Sequence, residues 1–183
     1  MTQKTAKTIA QAICCCLCFA LCLACREPLP KQLLRRFPLD SLNGVLDKQV
    51  LFFAPGISHD GRGSLEIRCA QPGIYRLFRV NKPPIEGVTL IYKAFVRSRE
   101  LQGEAMLEMR VKIHDKLYYS RGKLKKISGT SEFTELDTLF FLKRDHLPDF
   151  IQLNVVVNGT GTIWVDDIRL YAGPLTFLRA KEF

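Results

Sequence analysis

The sequence predicts an all-β protein, a two-sheet antiparallel jelly-roll sandwich that follows an N-terminal apolar signal or anchor helix. Three observations point there. From Leu39 onward, apolar residues recur at every second position and helical periodicity is almost absent. The alternating runs are short and separated by Gly, Pro, Asn and Asp turns. Before Leu39 the alternation is missing, and an uncharged run gives way to a basic, proline-containing stretch.

The N-terminal segment comes first. MTQKTAK carries Lys4 and Lys7 and no acid, and Thr8 to Cys25 carries no charge. A basic start, an apolar stretch and a small residue before a cut describe a secretory signal. The stretch is long for a signal and slightly short for a spanning helix, which needs about 20 apolar residues. Six of the seven cysteines lie here. Cys14, Cys15, Cys16, Cys18 and Cys22 act as small hydrophobes. Cys14-Cys15-Cys16 lacks the spaced pairs of a zinc site. Cys25 follows Leu23-Ala24 and precedes Arg26-Glu27-Pro28. This step resembles the lipobox of bacterial lipoproteins, with Cys22 where that pattern usually has Leu. The resemblance implies lipidation at Cys25, membrane lipid as a partner and a bacterial cell-envelope location facing periplasm or exterior. An uncleaved anchor and simple cleavage are the alternatives. Residues 1–25 are thus read as signal or anchor, and 26–38 as a basic linker with Pro28, Pro30 and Pro38. Arg26, Lys31, Arg35 and Arg36 suit anionic headgroups.

Residues 39–183 are read as the domain. A unit of this size can bury a good core without disulfides, which suits the lone Cys69. Lys4 and Lys7 are two of the 27 basic residues and all 18 acids follow Cys25, so residues 26–183 keep a net charge of +7. In an exported chain that favours anionic lipid, wall polymer or acidic glycan over nucleic acid. The first strand is read at 50–54. In 63–70, Leu65, Ile67 and Cys69 point inward; 74–81 follows. In 88–98, Leu90, Tyr92, Ala94 and Val96 share one face, while Ile91 and Phe95 stand beside Lys93 and Arg97 on the other. That mixed face marks a central strand with a partly covered outer side. In 104–113, Leu107, Met109 and Val111 point in; Glu104, Glu108 and Arg110 point out. In 150–158, Ile151, Leu153, Val155 and Val157 point in; Gln152, Asn154 and Asn158 point out. With 117–121, 133–142 and 161–171 the reading gives about nine strands, turning at LQG (101–103), NGTG (158–161) and similar signals.

The segments GTGTIWVDDIRLYAGP (159–174) and SHDGRGSLEI (58–67) resemble two motifs of galactose-binding-like jelly rolls, which include several carbohydrate-binding module families. The resemblance spans roughly 39–173 and implies the fold more than the function. In such domains an Asp of the last strand can help hold a structural calcium, which wants six to eight oxygens. Here PLDSLNGV (38–45) replaces the family's acidic N-terminal stretch and leaves Asp40 alone. Asp166 and Asp167 are therefore read as calcium ligands or as side chains that cap loop amides or pair with Arg. Trp164, Ile168 and Leu170 share one parity, and Ile163 and Val165 the other. The buried face switches at the Asp pair, as a strand buried on both sides or a bulge would require. Trp164, the only Trp, lies inside this core-like motif.

Enzyme chemistry finds no support. His59, His114 and His146 sit apart in turns, no Ser lies in a nucleophile elbow, and no Gly-rich loop opens a helix. Glu104 and Glu108 read as solvated or ligand-contacting side chains. No cofactor is implied beyond the calcium alternative. The candidate ligand face comprises Lys93, Arg97, Glu108, Arg110, Gln152 and Asn154, with Tyr119 or Tyr118 as the stacking ring. Arg121, Lys123, Lys125 and Lys126 lack the interleaved aromatics of a nucleic-acid site and read as a solvated loop. Two functions follow: a membrane-anchored, non-catalytic domain for carbohydrate or envelope glycan, or a structural lipoprotein that uses the jelly roll to meet an envelope protein.

Overall fold

Seven antiparallel strands build residues 30–175, the part of the chain described by the computed structural model. They are β1 (Gln32–Phe37), β2 (Leu51–Ala54), β3 (Ser64–Cys69), β4 (Gly73–Asn81), β5 (Val88–Ile113), β6 (Lys116–Leu142) and β7 (Phe150–Pro174). The expected apolar helix and Cys25 lie outside the described residues. The architecture is the all-β antiparallel sandwich that the alternation called for.

Strands β5, β6 and β7 each run through both sheets. In the first sheet the order is β4-β7-β5-β6, built from the early part of β7, the late part of β5 and the early part of β6. In the second, the late part of β7 pairs with β3 and β1 on one side and with the early part of β5 on the other. β2 extends β3, and the late part of β6 closes the far edge. β5 lies between β6 and β7 throughout, so it is central.

The nine expected strands become six, because β5, β6 and β7 each join two of them, and β1 makes seven. At 101–103 and 158–161 the chain does not reverse. Gly103 of β5 faces Gly159 of β7, and the ladder shifts register between Arg99 and Gln102. A Cβ on Gly103 would run into the Asn158 carbonyl, and one on Gly159 into the Gln102 carbonyl. Glycine there lets two backbones close on each other while both strands pass from one sheet to the next.

Residues 32–37 also differ from the reading as a linker. They form β1, paired with β7 from Gln32↔Ala172 to Phe37↔Ile168. A register shift between Leu33 and Arg35 breaks the alternation. Leu34 and Phe37, three apart, consequently both pack on the core. A period-two search misses such a strand.

The core lies between the sheets and follows the predicted parity. Leu65, Ile67, Leu90, Val96, Leu107 and Leu153 are fully buried, each worth about 1.5–3 kcal/mol of transfer free energy. Cys69 is buried among them as a free thiol. Tyr92 is also fully enclosed, and its hydroxyl has no hydrogen-bond partner among the described residues. An unsatisfied buried hydroxyl carries a desolvation cost of about 1–3 kcal/mol. Tyr92→Phe removes it without opening a large cavity. The expected result is a melting temperature higher by about 2–12 °C. A lower melting temperature would show that the hydroxyl is satisfied in solution.

Candidate ligand-binding face

The first sheet turns one face to the core and the other outward. Register fixes the outer rows. Arg76, Asn154, Glu108 and Arg121 form one row across β4, β7, β5 and β6. Arg79, Gln152, Arg110 and Tyr119 form the next. The late part of β5 and the early part of β7 alternate apolar and polar residues, so folding their apolar sides inward brings these polar sides together.

Sequence parity alone would leave Glu108, Gln152 and Asn154 in solvent. They are instead buried, Glu108 and Asn154 at 0% exposure. Arginines from the neighbouring strands cover them. Arg110 Nε donates to Glu108 Oε1 at 2.7 Å, and Arg121 Nε donates to Oε2 at 2.7 Å. Asn154 Nδ2 donates to Oε1 at 2.9 Å. Gln152 Nε2 donates to Asn154 Oδ1 at 3.0 Å, and Arg79 Nη2 to Gln152 Oε1 at 2.6 Å. One chain of hydrogen bonds thus ties four strands. Burial resists ionisation of Glu108, but the bonds from Arg121, Asn154 and Arg110 outweigh it and hold the carboxyl below the usual range.

Aromatic rings flank this network. Tyr119 is 66% exposed and lies under the Arg121 guanidinium, 5.3 Å from its ring centroid. Arg79 stacks 4.2 Å from the Phe150 centroid. Tyr118 has the opposite parity and meets Phe140 at the rim. The face offers what a polar ring-shaped ligand requires: a ring to stack on, fixed donors and a rigid floor.

Of the residues expected on one face, Glu108, Arg110, Tyr119, Gln152 and Asn154 come together. Lys93 and Arg97 do not. They lie on the early part of β5 in the second sheet, where Lys93 pairs with Glu135 and Arg97 with Glu132. The bend at Gly103 separates them from the site. Two residues were missed. Arg121 was read as loop, yet a tight hairpin starting from Ile113↔Lys116 places it opposite Glu108. That register could have been counted from the His114-Asp115 turn. Arg79 comes from β4, whose pairing with β7 spans a long sequence separation and a bulge between Arg76 and Phe78. No local signal gives that.

The Asp pair sits at a bulge, where Phe95↔Asp166 and Lys93↔Arg169 leave an extra residue on β7. Asp167 has a positive φ of 46°. Ile163 and Val165 before the bulge, and Ile168 and Leu170 after it, all reach the core. Trp164 is buried as well, at 2% exposure, without joining that cluster. It is on the outer face of the second sheet, buried under Arg97 and Arg99 at 5.7 and 5.2 Å from its ring. Asp166 accepts hydrogen bonds from the amides of His59 and Asp167, both at 2.7 Å. Burial still pushes its carboxyl up. Asp167 is ion-paired with Arg36 of β1 at 2.7 Å and with Arg169. Burial opposes its ionisation, and the bonds from Arg169 and Arg36 prevail and hold its pKa down. The resemblance implied calcium here, but the residues do not fit it. Both Asp167 oxygens already face guanidiniums, whose charge repels a cation. Among the described residues no cluster of His, Cys, Asp and Glu could hold a metal.

The geometry can be set beside known proteins. No family model and no curated protein matches the sequence. Solved structures do match. The tandem of family 22 carbohydrate-binding modules CBM22-1-CBM22-2 from Paenibacillus barcinonensis Xyn10C superposes with a TM-score of 0.61 at 12% identity, covering 82% of this chain and 51% of that one. The fold is that of a carbohydrate-binding-module jelly roll. The CBM22-1 xylan-binding domain of the same Xyn10C gives 0.53 at 10% identity, over 81% of this chain and 99% of that domain. The CBM22-1-GH10 modules of Clostridium thermocellum endo-1,4-beta-D-xylanase 10B, complexed with xylohexaose, give 0.57 at 12% identity. There the match covers 75% of this chain and only 28% of the other, so this chain spans the equivalent of a small part of that structure. At such identities the likeness concerns the fold.

Proposed function

We propose that the chain is a non-catalytic carbohydrate-binding domain, held at the bacterial envelope by its N-terminal segment, with the outer face of the first sheet as its site. The observation that carries this reading is the buried network around Glu108, braced across four strands beside the exposed ring of Tyr119. The shared jelly-roll fold supports it. The test is a glycan array probed with the full chain in neutral-detergent micelles. Tyr119→Ala is expected to weaken binding to any positive glycan at least ~10-fold, since ring stacking is commonly worth 1–3 kcal/mol, with an unchanged melting temperature. Retained binding would move the site elsewhere.

The anchor is part of the same proposal. In a bacterial host the parent chain should incorporate labelled palmitate and Cys25→Ser should not. Equal labelling would exclude Cys25 as the lipidated residue. The alternative, a scaffold for an envelope protein, draws on β6. That strand ends the sheet and exposes Leu117 beside its hairpin and Leu124 in the irregular stretch between Arg121 and Lys126, and such an edge can accept a partner strand. A chain blank on the array but retained by purified envelope protein, and released by Leu124→Ser, would favour it.

A further inference from the structure

We infer that this face takes an acidic saccharide, with the guanidinium forks of Arg110 and Arg121 receiving a sugar carboxylate while the sugar ring lies on Tyr119. The inference rests on the carbohydrate-binding reading and specifies its ligand class.

Charge comes first. The network holds three guanidiniums, Arg79, Arg110 and Arg121, against the single carboxylate of Glu108. The neighbouring charges cancel in pairs: Arg76 with Asp47, Lys126 with Glu104, and Lys112 with Asp149. Two positive charges are therefore in excess on the outer face. The formal charge of residues 26–183, +7, adds a steering field of the same sign.

The hydrogen-bond pattern then fixes the direction of approach. Among the described residues, Arg110 and Arg121 both bond to Glu108 through Nε. Their Nη groups are left over. Glu108 has no exposed side-chain surface, whereas the Arg110 and Arg121 side chains keep 29% and 32%. An arriving ligand thus meets donors and never the carboxylate. Glu108 acts as a positioning residue: it neutralises part of the charge and holds both side chains in one rotamer before binding. A guanidinium's outer edge matches a planar carboxylate with two parallel N–H···O bonds. Preorganising it removes much of the entropy cost of ordering two long side chains.

The position of the ring then selects a sugar over a bare anion. Tyr119 is directly opposite Arg110 in the ladder, and Arg121 lies over its ring. A pyranose against the part of that ring which Arg121 leaves open, Tyr119 being 66% exposed, puts an equatorial carboxylate within reach of both forks. A neutral sugar can use the same ring but leaves the two excess charges uncompensated.

The experiment uses the full chain in neutral-detergent micelles and oligosaccharides of galacturonate, glucuronate and mannuronate, each beside its carboxyl-reduced counterpart, with poly-L-glutamate as a carboxylate polymer without sugar rings. Binding is measured by calorimetry at low and at physiological salt. At least one uronate should bind 10-fold or more tightly than its reduced form, with the ratio falling as salt rises. Arg110→Gln and Arg121→Gln should each remove most of that ratio, weakening the acid forms far more than the reduced ones. If either Gln variant fails to fold, Arg110→Lys or Arg121→Lys decides, because it keeps the charge and loses the fork; an undiminished ratio would overturn the fork. Reduced forms binding as well as the acids, in a manner lost with Tyr119→Ala, would overturn the acidic preference and leave the carbohydrate reading intact. Poly-L-glutamate binding as tightly as every uronate, indifferent to Tyr119→Ala, would overturn the sugar half. No binding to these ligands or to any glycan on the array would overturn both.

Discussion

Replacing Glu108 by Ala is expected to lower the unfolding free energy by about 3 kcal/mol, at the low end for breaking a buried ion pair because both arginines keep some contact with water. The melting temperature should fall by about 6–12 °C for a domain of this size. Three donors, from Arg110, Arg121 and Asn154, lose their acceptor at once. Two of them are charged and held on a sheet that cannot easily let them go. Acidity gives an independent check. The folded pKa of Glu108 is depressed, so its contribution is complete above the ordinary glutamate value, near 4.3. It fades as pH falls through the lower folded value. The gap in stability between parent and Glu108→Gln should therefore be wide at pH 6 and narrower at pH 3. An equal gap at both would mean that the ionised carboxylate is not what holds the network.

Asp167→Ala is expected to cost about 2–3 kcal/mol, since it strands Arg36 and Arg169 around a site whose carboxylate is almost fully enclosed. The loss should appear as unfolding at lower urea, with ligand binding by the folded fraction unchanged, because the Asp pair belongs to the second sheet. Arg36→Ala should produce a smaller loss, as Arg169 still serves Asp167. Calcium and chelator should shift neither the parent's melting temperature nor the variant's. A calcium-dependent rise in the parent, abolished in Asp167→Ala, would show that the two arginines leave room for an ion bound only by the native state. An Asp167→Ala chain as stable as the parent would make the β1–β7 latch superficial.

The sequence disclosed the core more fully than the surface. Leu65, Leu90, Leu107 and Leu153 announced their inward direction because a pleated strand alternates strictly and hydrophobicity reports that alternation. The Asp pair announced a bulge in the same way, by an interruption. β1 stayed hidden since its own bulge set Leu34 and Phe37 three apart. At Gly103 and Gly159 composition cannot distinguish a reversal from a bend; only their facing each other across two strands does. The site was half legible. Polar residues on the right face of β5 and β7 were found. Their burial was not, because it depends on side chains arriving from β4 and β6. Trp164 is buried for a related reason, since two arginines cover its ring from outside.

The position of β7 has a consequence in time. β1, β3, β4 and β5 all pair with it, and it is the last of the described strands to be made. Only the β2–β3 and β5–β6 pairings can form before it emerges. In a chain threaded out of the cell N-terminus first, β1 clears the membrane early and then waits for Ala172 and its neighbours, the closing partners of Gln32 and the rest. Contacts so distant along the chain make folding slow, on the order of milliseconds to seconds. During that wait the edges of β3 and β5 that β7 will cover stand open to other chains. A tether at the N-terminus would hold each waiting chain at the surface where it emerges, so the same segment proposed to position the folded domain would also restrict where unfinished copies can meet.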